Sequence, residues 1–165
     1  MSVQQSPQPD PALLRWSQGG LEAGAAVAAL AADAFDPHFR EAWTEYQIVD
    51  LLRGGNAWLD LGHLDGQLVA FALNRQVLDE VELLLCAVGP DWRGQGIGLL
   101  MMERVLDSVR SRGGRRLFLE VRDGNLAALG LYRAAGLNME GRRSAYYKTI
   151  SGDSIDAITF AMPVQ

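Results

Sequence analysis

A glycine-rich segment near the middle of the chain, Arg93–Gly98, most constrains what this sequence can fold into. The apolar run at 81–88 before it predicts a mostly buried strand, and residues 99–112 after it repeat apolar side chains at helical spacing. A strand, a glycine loop and a helix in this order predict an anion cradle. Backbone N–H groups of such a loop, together with the positive end of the helix dipole, hold phosphate oxygens.

The spacing of the glycines excludes two familiar phosphate loops. A P-loop ends in Gly-Lys-Ser/Thr, but Gly98 is followed by Leu99 and Leu100. A dinucleotide-binding fingerprint needs Gly-x-Gly-x-x-Gly in a first βαβ unit, and the loop here breaks that spacing and lies past mid-chain. The remaining pattern is Arg93-x-x-Gly96-x-Gly98. A glycine-rich turn without a ligand is the alternative interpretation.

Composition and charge narrow the function classes. We expect a single domain at 12–165 and a flexible, proline-containing tail at 1–11 rather than a secretion signal. The formal net charge of −5 argues against direct nucleic-acid binding, which needs a basic face. The apolar stretches are too short to cross a membrane, so no membrane partner is expected. The single cysteine, Cys86, and two widely separated histidines predict neither disulfides nor a metal site, and they favour the reducing cytoplasm.

Periodicity and turn signals predict a mixed α+β fold. Two helices come first, followed by a three-stranded meander with a hairpin turn at Asp65-Gly66. A strand, helix, strand unit then surrounds the glycine loop, and a short helix and a closing hairpin follow. The predicted helices are 21–34, 42–53, 99–112 and 125–134, and the predicted strands are 58–64, 67–75, 81–88, 116–121, 143–147 and 156–162. The central helix is predicted to face the core with Leu99, Met102, Leu106 and Val109.

From about residue 12 onward, these elements and motifs resemble the GCN5-related N-acetyltransferase (GNAT) family. The residues that carry the resemblance are the glycine loop, Leu119-Glu120-Val121-Arg122, Asn125, Leu131-Tyr132, Tyr146-Tyr147 and Asp156-Ala157-Ile158. Their combination is similar to the RimI-like branch, which acetylates the N-terminal alanine of ribosomal protein S18. The resemblance implies a central, mostly antiparallel sheet with a βαβ acetyl-CoA-binding unit and helices on both faces.

The resemblance also implies roles for particular residues. It assigns Glu120 as general base for the amine and Tyr132 as general acid for the CoA thiolate. Such a pair is needed because an α-amino group, with a pKa near ~8, is mostly protonated at neutral pH. The residues implied to bind acetyl-CoA are Cys86, Ala87, Val88, Arg93, Gly94, Gln95, Gly96, Ile97, Gly98, Leu99 and Asn125. The residues implied to contact the acceptor are Trp43, Tyr146 and Tyr147.

Several of these residues also have a purely structural interpretation. Glu120 can be a solvated carboxylate on a strand, Tyr132 a core aromatic, Cys86 a small buried hydrophobe and Asn125 a helix N-cap. Two other functions stay open, namely acetylation of a small amine, amino acid or lysine side chain, and a non-catalytic CoA-binding sensor. A closed pocket would favour the small amine. An open groove beside the closing hairpin would favour a peptide, and a basic protein N-terminus suits an acidic enzyme.

Overall fold

The computed structural model describes residues 10–165. The predicted tail at 1–11 lies outside the described residues except for Asp10 and Pro11, which begin a short 3-10 turn. The helices and strands that follow are β1 (Arg15–Gly19), α1 (Gly24–Ala34), α2 (Glu45–Arg53), β2 (Ala57–Leu64), β3 (Gln67–Val77), β4 (Glu80–Val88), α3 (Ile97–Ser111), β5 (Arg116–Arg122), α4 (Leu126–Ala134), β6 (Asn138–Lys148) and β7 (Ser154–Pro163). Within this range, no helix has the length and apolar character needed to span a bilayer.

One sheet contains all seven strands, in the order β1-β2-β3-β4-β5-β7-β6. Strands β4 and β5 are parallel, and the other neighbouring pairs are antiparallel. The mixed α+β fold with a mostly antiparallel sheet is therefore confirmed. The β2–β3 hairpin turns at Asp65 and Gly66, both at positive φ, as the sequence predicts.

Helices cover both faces of the sheet and enclose two separate cores. On one face, α3 and α4 pack over a core that includes Met102, Leu117 and Phe160. On the opposite face, α1 and α2 pack over a second core that includes Ile48 and Phe71. Burial of such side chains stabilises the fold by roughly 25 cal/mol per Å² of apolar surface. The two cores hold the sheet rigidly between helices, so its central strands provide a fixed frame for a site.

The structure corrects several predicted details, among them the start of β6, which is Asn138 rather than residue 143. Strand β1 was not predicted, because it is a short edge strand with a weak apolar pattern. Helix α2 begins at Glu45 rather than at residue 42, since Thr44 caps it and forms a capping box with Gln47. Leu99 is 40% exposed and does not face the core. The buried stripe of α3 is centred on Val105, and Leu99 lies about 120° away from it around the helix.

Candidate active site

The parallel strands β4 and β5 separate soon after they begin. They pair only where Glu80, Val81 and Glu82 face residues 116–118, although β4 continues to Val88 and β5 to Arg122. Beyond residue 82, the backbone groups of β4 that point towards β5 have no strand partner on that side. The separation opens a gap in the middle of the sheet.

A β-bulge in β4 lies where the gap begins. Leu73 pairs with Leu85, whereas the next residue, Asn74, pairs with Leu83, so Leu84 is an extra residue. Side chains alternate between faces along a strand, and one extra residue reverses that alternation. Cys86 consequently packs against the core under α3 and α4, while Leu85 joins the core under α1 and α2.

Two cavities meet at the gap. The larger, of about 480 Å³, lies between the glycine loop and α4. The smaller, of about 260 Å³, lies between the segment preceding α2 and the β6–β7 hairpin. The residues that line both cavities are Phe35, Glu41, Cys86, Asn125, Ala128 and Tyr132. A molecule in one cavity can therefore contact a molecule in the other.

The glycine loop forms one wall of the larger cavity. Gly94 and Gly96 have φ values of 75° and 82°, and a Cβ added to either would meet open space within the described structure. Helix α3 starts directly after them, and no side chain among residues 10–165 caps its N-terminus. Its first N–H groups are therefore available to an anion at the positive end of the helix dipole. The loop can therefore hold a phosphate group.

Nine of the eleven residues expected to bind acetyl-CoA line the larger cavity. Those that line the larger cavity are Cys86, Ala87, Val88, Arg93, Gly94, Gly96, Ile97, Gly98 and Asn125. Gln95 and Leu99 belong to the same segment but are not part of the lining of that cavity. The Arg93 guanidinium donates a hydrogen bond to the Ala34 carbonyl at 2.6 Å, which ties the loop to the end of α1.

Tyr132 lies on α4, at the junction of the cavities. This helix begins after Asn125, whose side-chain oxygen accepts a hydrogen bond from the Ala128 N–H at 3.2 Å, so the prediction that Asn125 is an N-cap is confirmed. The Tyr132 hydroxyl is 3.3 Å from Cys86 Sγ. Burial raises the pKa of Tyr132 well above its ordinary value and raises the pKa of the Cys86 thiol to about 11. Both groups are therefore protonated at neutral pH.

Glu120 enters the smaller cavity from β5, on the face opposite the core under α3 and α4. Its Oε1 accepts a hydrogen bond from Arg143 at 2.8 Å; the Glu120 side chain is 18% exposed and the Arg143 side chain 55%. The three residues expected to contact the acceptor, Trp43, Tyr146 and Tyr147, line the same cavity. The gap thus brings a carboxylate from one face of the sheet towards a tyrosine hydroxyl from the other.

Glu41, which the sequence analysis did not identify, lines both cavities. Its Oε1 accepts a hydrogen bond from Arg122 Nε at 3.1 Å, and the Arg122 guanidinium lies 3.5 Å from the centre of the Phe39 ring. The two charged side chains are only 14% and 13% exposed. These contacts fasten the α1–α2 segment to the end of β5. The sequence carries no local signal for this pair, because its members lie 81 positions apart.

Known proteins share this arrangement of helices and strands. Residues 25–137 match the acetyltransferase (GNAT) family. Over 100 residues, which are 61% of this chain and 67% of the relative, the sequence is 42% identical to the [ribosomal protein bS18]-alanine N-acetyltransferase of Escherichia coli strain K12. The crystal structure of the ribosomal-protein-S18-alanine N-acetyltransferase from Escherichia coli superposes with a TM-score of 0.82 at 32% identity, covering 92% of this chain and 94% of that one. The structure of yncA from Salmonella typhimurium with its cofactor acetyl-CoA shares the fold, with a TM-score of 0.76 at 14% identity over 93% and 95% of the two chains.

Proposed function

Because this chain belongs to the acetyltransferase (GNAT) family, we propose that it transfers the acetyl group of acetyl-CoA to the N-terminal alanine of ribosomal protein bS18. The acceptor is inferred from the 42% identical Escherichia coli relative, whose name states that acceptor. The chemistry is supported by one observation above the others. Two cavities meet at a gap where Tyr132 and Glu120 approach from opposite faces of the sheet.

The larger cavity is the site we assign to acetyl-CoA. Its glycine loop and the N-terminus of α3 offer backbone N–H groups to the pyrophosphate, and Arg93 adds a positive charge beside them. The unpaired side of β4 at Cys86, Ala87 and Val88 offers backbone hydrogen bonds to the amide-containing arm of CoA, in the way that an added strand pairs with an open edge. The acetyl thioester then points to the junction of the cavities.

We assign Glu120 as the general base in the smaller cavity. An N-terminal ammonium must lose a proton before its nitrogen can attack the thioester carbon. The Glu120 carboxylate takes this proton, directly or through one water molecule. Its solvent-exposed partner Arg143 competes for the same carboxylate and is free to move aside, because exposed ion pairs are weak.

We assign Tyr132 as the general acid. Attack of the amine forms the new C–N bond, and the C–S bond to CoA then breaks. The Tyr132 hydroxyl, which is protonated at neutral pH, supplies a proton to the departing thiolate. A backbone N–H on the unpaired side of β4 stabilises the oxyanion between these two steps.

The shape of the smaller cavity favours a peptide acceptor over a small amine. Trp43 lies on the side of the α1–α2 segment, and Tyr146 and Tyr147 lie on the side of the closing hairpin. Tyr146 is 47% exposed, so this wall of the cavity reaches the protein surface. Such a groove leaves room for the residues that follow an N-terminal alanine.

Mass spectrometry tests this proposal directly. The purified protein is incubated with acetyl-CoA and a bS18-type peptide that has a free N-terminal alanine and one internal lysine. We expect a single acetyl group on the α-amine. Acetyl on the lysine alone would overturn the N-terminal assignment, and bound CoA without any transfer would favour the sensor function. An acceptor that is part of the ribosome would place the activity in the cytoplasm, as the lone cysteine also suggests.

A further inference from the structure

Strand β6 carries an irregularity beside the acceptor cavity. Arg143 pairs with Ala157, and the next paired residue, Tyr147, pairs with Ile155. Three residues of β6, at 144–146, therefore stand opposite a single residue of β7, Asp156. We refer to residues 144–146 as the β6 bulge. Bulges of this kind redirect side chains next to functional sites.

The β6 bulge decides which side chains reach the cavity. Directly opposed residues lie on the same face of a sheet, so Tyr147 shares a face with Arg143 and Glu120. In a regular ladder, Ala145 would stand opposite Ile155 in place of Tyr147. The tyrosines would then lie two positions closer to the hairpin turn, a displacement of about 7 Å along the strand. The bulge thus brings both tyrosines to the cavity.

Asp156 holds the β6 bulge through its side chain. Ala145 has a φ of 55°, which is uncommon for a residue other than glycine, and its N–H donates to Asp156 Oδ1 at 2.9 Å. Asp156 Oδ2 accepts a hydrogen bond from Arg142 at 3.0 Å, and Arg142 also donates to Asp123 Oδ2 at 2.7 Å. The bulge is thereby tied to the turn that follows β5, the strand that carries Glu120.

The tyrosine pair is linked to the general base. Tyr146 and Tyr147 pack edge to face, with ring centres 5.1 Å apart and an interplanar angle of 78°. The Arg143 guanidinium lies 4.0 Å from the centre of the Tyr146 ring and at the same time donates to Glu120. A change in the bulge would therefore displace both the aromatic wall of the cavity and the partner of Glu120.

We propose that Asp156 is a positioning residue for the acceptor. Through the Ala145 N–H and Arg142, it sets the conformation of the β6 bulge and hence the place of Tyr146 and Tyr147 in the cavity. This inference rests on the proposed function, since it assumes a peptide acceptor. Loss of the Asp156 carboxylate should weaken capture of the peptide and leave the acetyl-CoA cavity unaffected.

Steady-state kinetics of Asp156→Ala provide the test. Asp153→Ala is the matched control, because it removes another carboxylate from the same hairpin. For Asp156→Ala, we expect KM for a bS18-type peptide to rise about tenfold, with kcat within about threefold and KM for acetyl-CoA within about twofold of the parent values. Asp156→Asn keeps an oxygen that can accept the Ala145 N–H but loses the charge that pairs with Arg142, so its KM should rise less. An unchanged peptide KM, or an equal rise in Asp153→Ala, would overturn the proposal.

A double-mutant cycle separates positioning from general damage. Arg142→Gln should also raise KM for the peptide, and the double variant Asp156→Ala with Arg142→Gln should raise it by less than the product of the two single effects. Independent, multiplicative effects would contradict a shared action on the bulge. If Asp156→Ala does not fold, Asp156→Asn carries the same comparison against Asp153→Ala.

A spectroscopic readout distinguishes failure of this inference from failure of the proposed function. The chain has four tyrosines, so 3-fluorotyrosine labelling gives a simple fluorine NMR spectrum. In Asp156→Ala, the signals of Tyr146 and Tyr147 should move, while that of Tyr46 on α2 should stay. A parent enzyme that leaves the peptide unmodified would refute the proposed function, and the spectrum would then still show whether Asp156 sets the place of the two tyrosines. Unmoved signals from both hairpin tyrosines would refute the inference.

Discussion

The hydroxyl of Tyr132 on α4 lies 3.3 Å from the sulfur of Cys86 on β4. Both groups line the two cavities, and burial keeps both of them protonated at neutral pH. The sulfur therefore acts as a weak hydrogen-bond partner that holds the hydroxyl at the junction, and it is not poised as a nucleophile. In the proposed reaction, the sulfur whose bond breaks is that of the acetyl-CoA thioester, not that of Cys86.

Tyr132→Phe should lower kcat by at least about tenfold, because the CoA thiolate would leave without a proton. Acetyl-CoA affinity, measured by calorimetry, should change little, since the ring still fills the same space. Tyr46→Phe, at an exposed position on α2, is the matched control. A Tyr132→Phe enzyme with parental kcat would exclude the general-acid role.

Glu120→Gln should also lower kcat by at least about tenfold at neutral pH, because an amide cannot accept the proton of the acceptor ammonium. The loss should shrink as the pH of the assay approaches the pKa of the α-amine, near ~8, where more of the acceptor is already neutral. A pH series of turnover rates measures this effect. Glu103→Gln on the exposed side of α3 serves for comparison. A deficit that is the same at every pH would argue against a base at this position.

Gly96→Val should raise KM for acetyl-CoA by about tenfold or more, because a β-branched residue disfavours a φ of 82° and its side chain enters the space next to the pyrophosphate cradle. Gly66→Val provides a matched control, since Gly66 also has a positive φ and open space around it but lies in the β2–β3 turn. Both variants should lose some stability in thermal unfolding. Only the first should lose affinity for acetyl-CoA.

Alkylation of Cys86 by iodoacetamide should remain slow through pH 9, because burial raises the pKa of the thiol to about 11 and the thiolate is the reactive form. The rate, followed by mass spectrometry, should still be rising above pH 10. A rate that levels off near pH 9 would contradict the raised pKa of this thiol.

The raised pKa of Cys86 also makes the free energy of unfolding depend on pH. Its contribution favours folding below the ordinary pKa of 9.0, and this contribution declines as the pH rises towards 11.

Glu41→Gln should destabilise the fold by about 2 kcal/mol, since it leaves the nearly buried Arg122 guanidinium without its charged partner. Urea unfolding measures the change. Glu22→Gln, which alters a fully exposed carboxylate, should cost much less. Equal losses of unfolding free energy in the two variants would show that the Glu41–Arg122 ion pair does not stabilise the fold significantly.

Local signals in the sequence predict much of this fold. The Asp65-Gly66 turn, the Asn125 N-cap and the glycine loop before α3 each depend on residues close together in the chain, and the structure contains all three. The larger cavity is therefore largely predictable, because one loop and one helix N-terminus form its anion cradle.

The remainder of the site depends on contacts between distant residues. The extra residue Leu84 and the separation of β4 from β5 leave no mark on the apolar pattern, since both faces of these strands are covered. The Glu41–Arg122 pair joins two segments that only the sheet brings together. The partnership of Glu120 with Arg143 similarly depends on β7 lying between their strands.

The separation of β4 from β5 also has an evolutionary consequence. The glycine loop lines only the larger cavity, and Trp43 and the hairpin tyrosines line only the smaller one. Substitutions in the closing hairpin can therefore change which amine is accepted while the cradle for the donor stays as it is. In the proposed assignment, acceptor specificity can therefore evolve in the hairpin without a change in the loop that holds the donor.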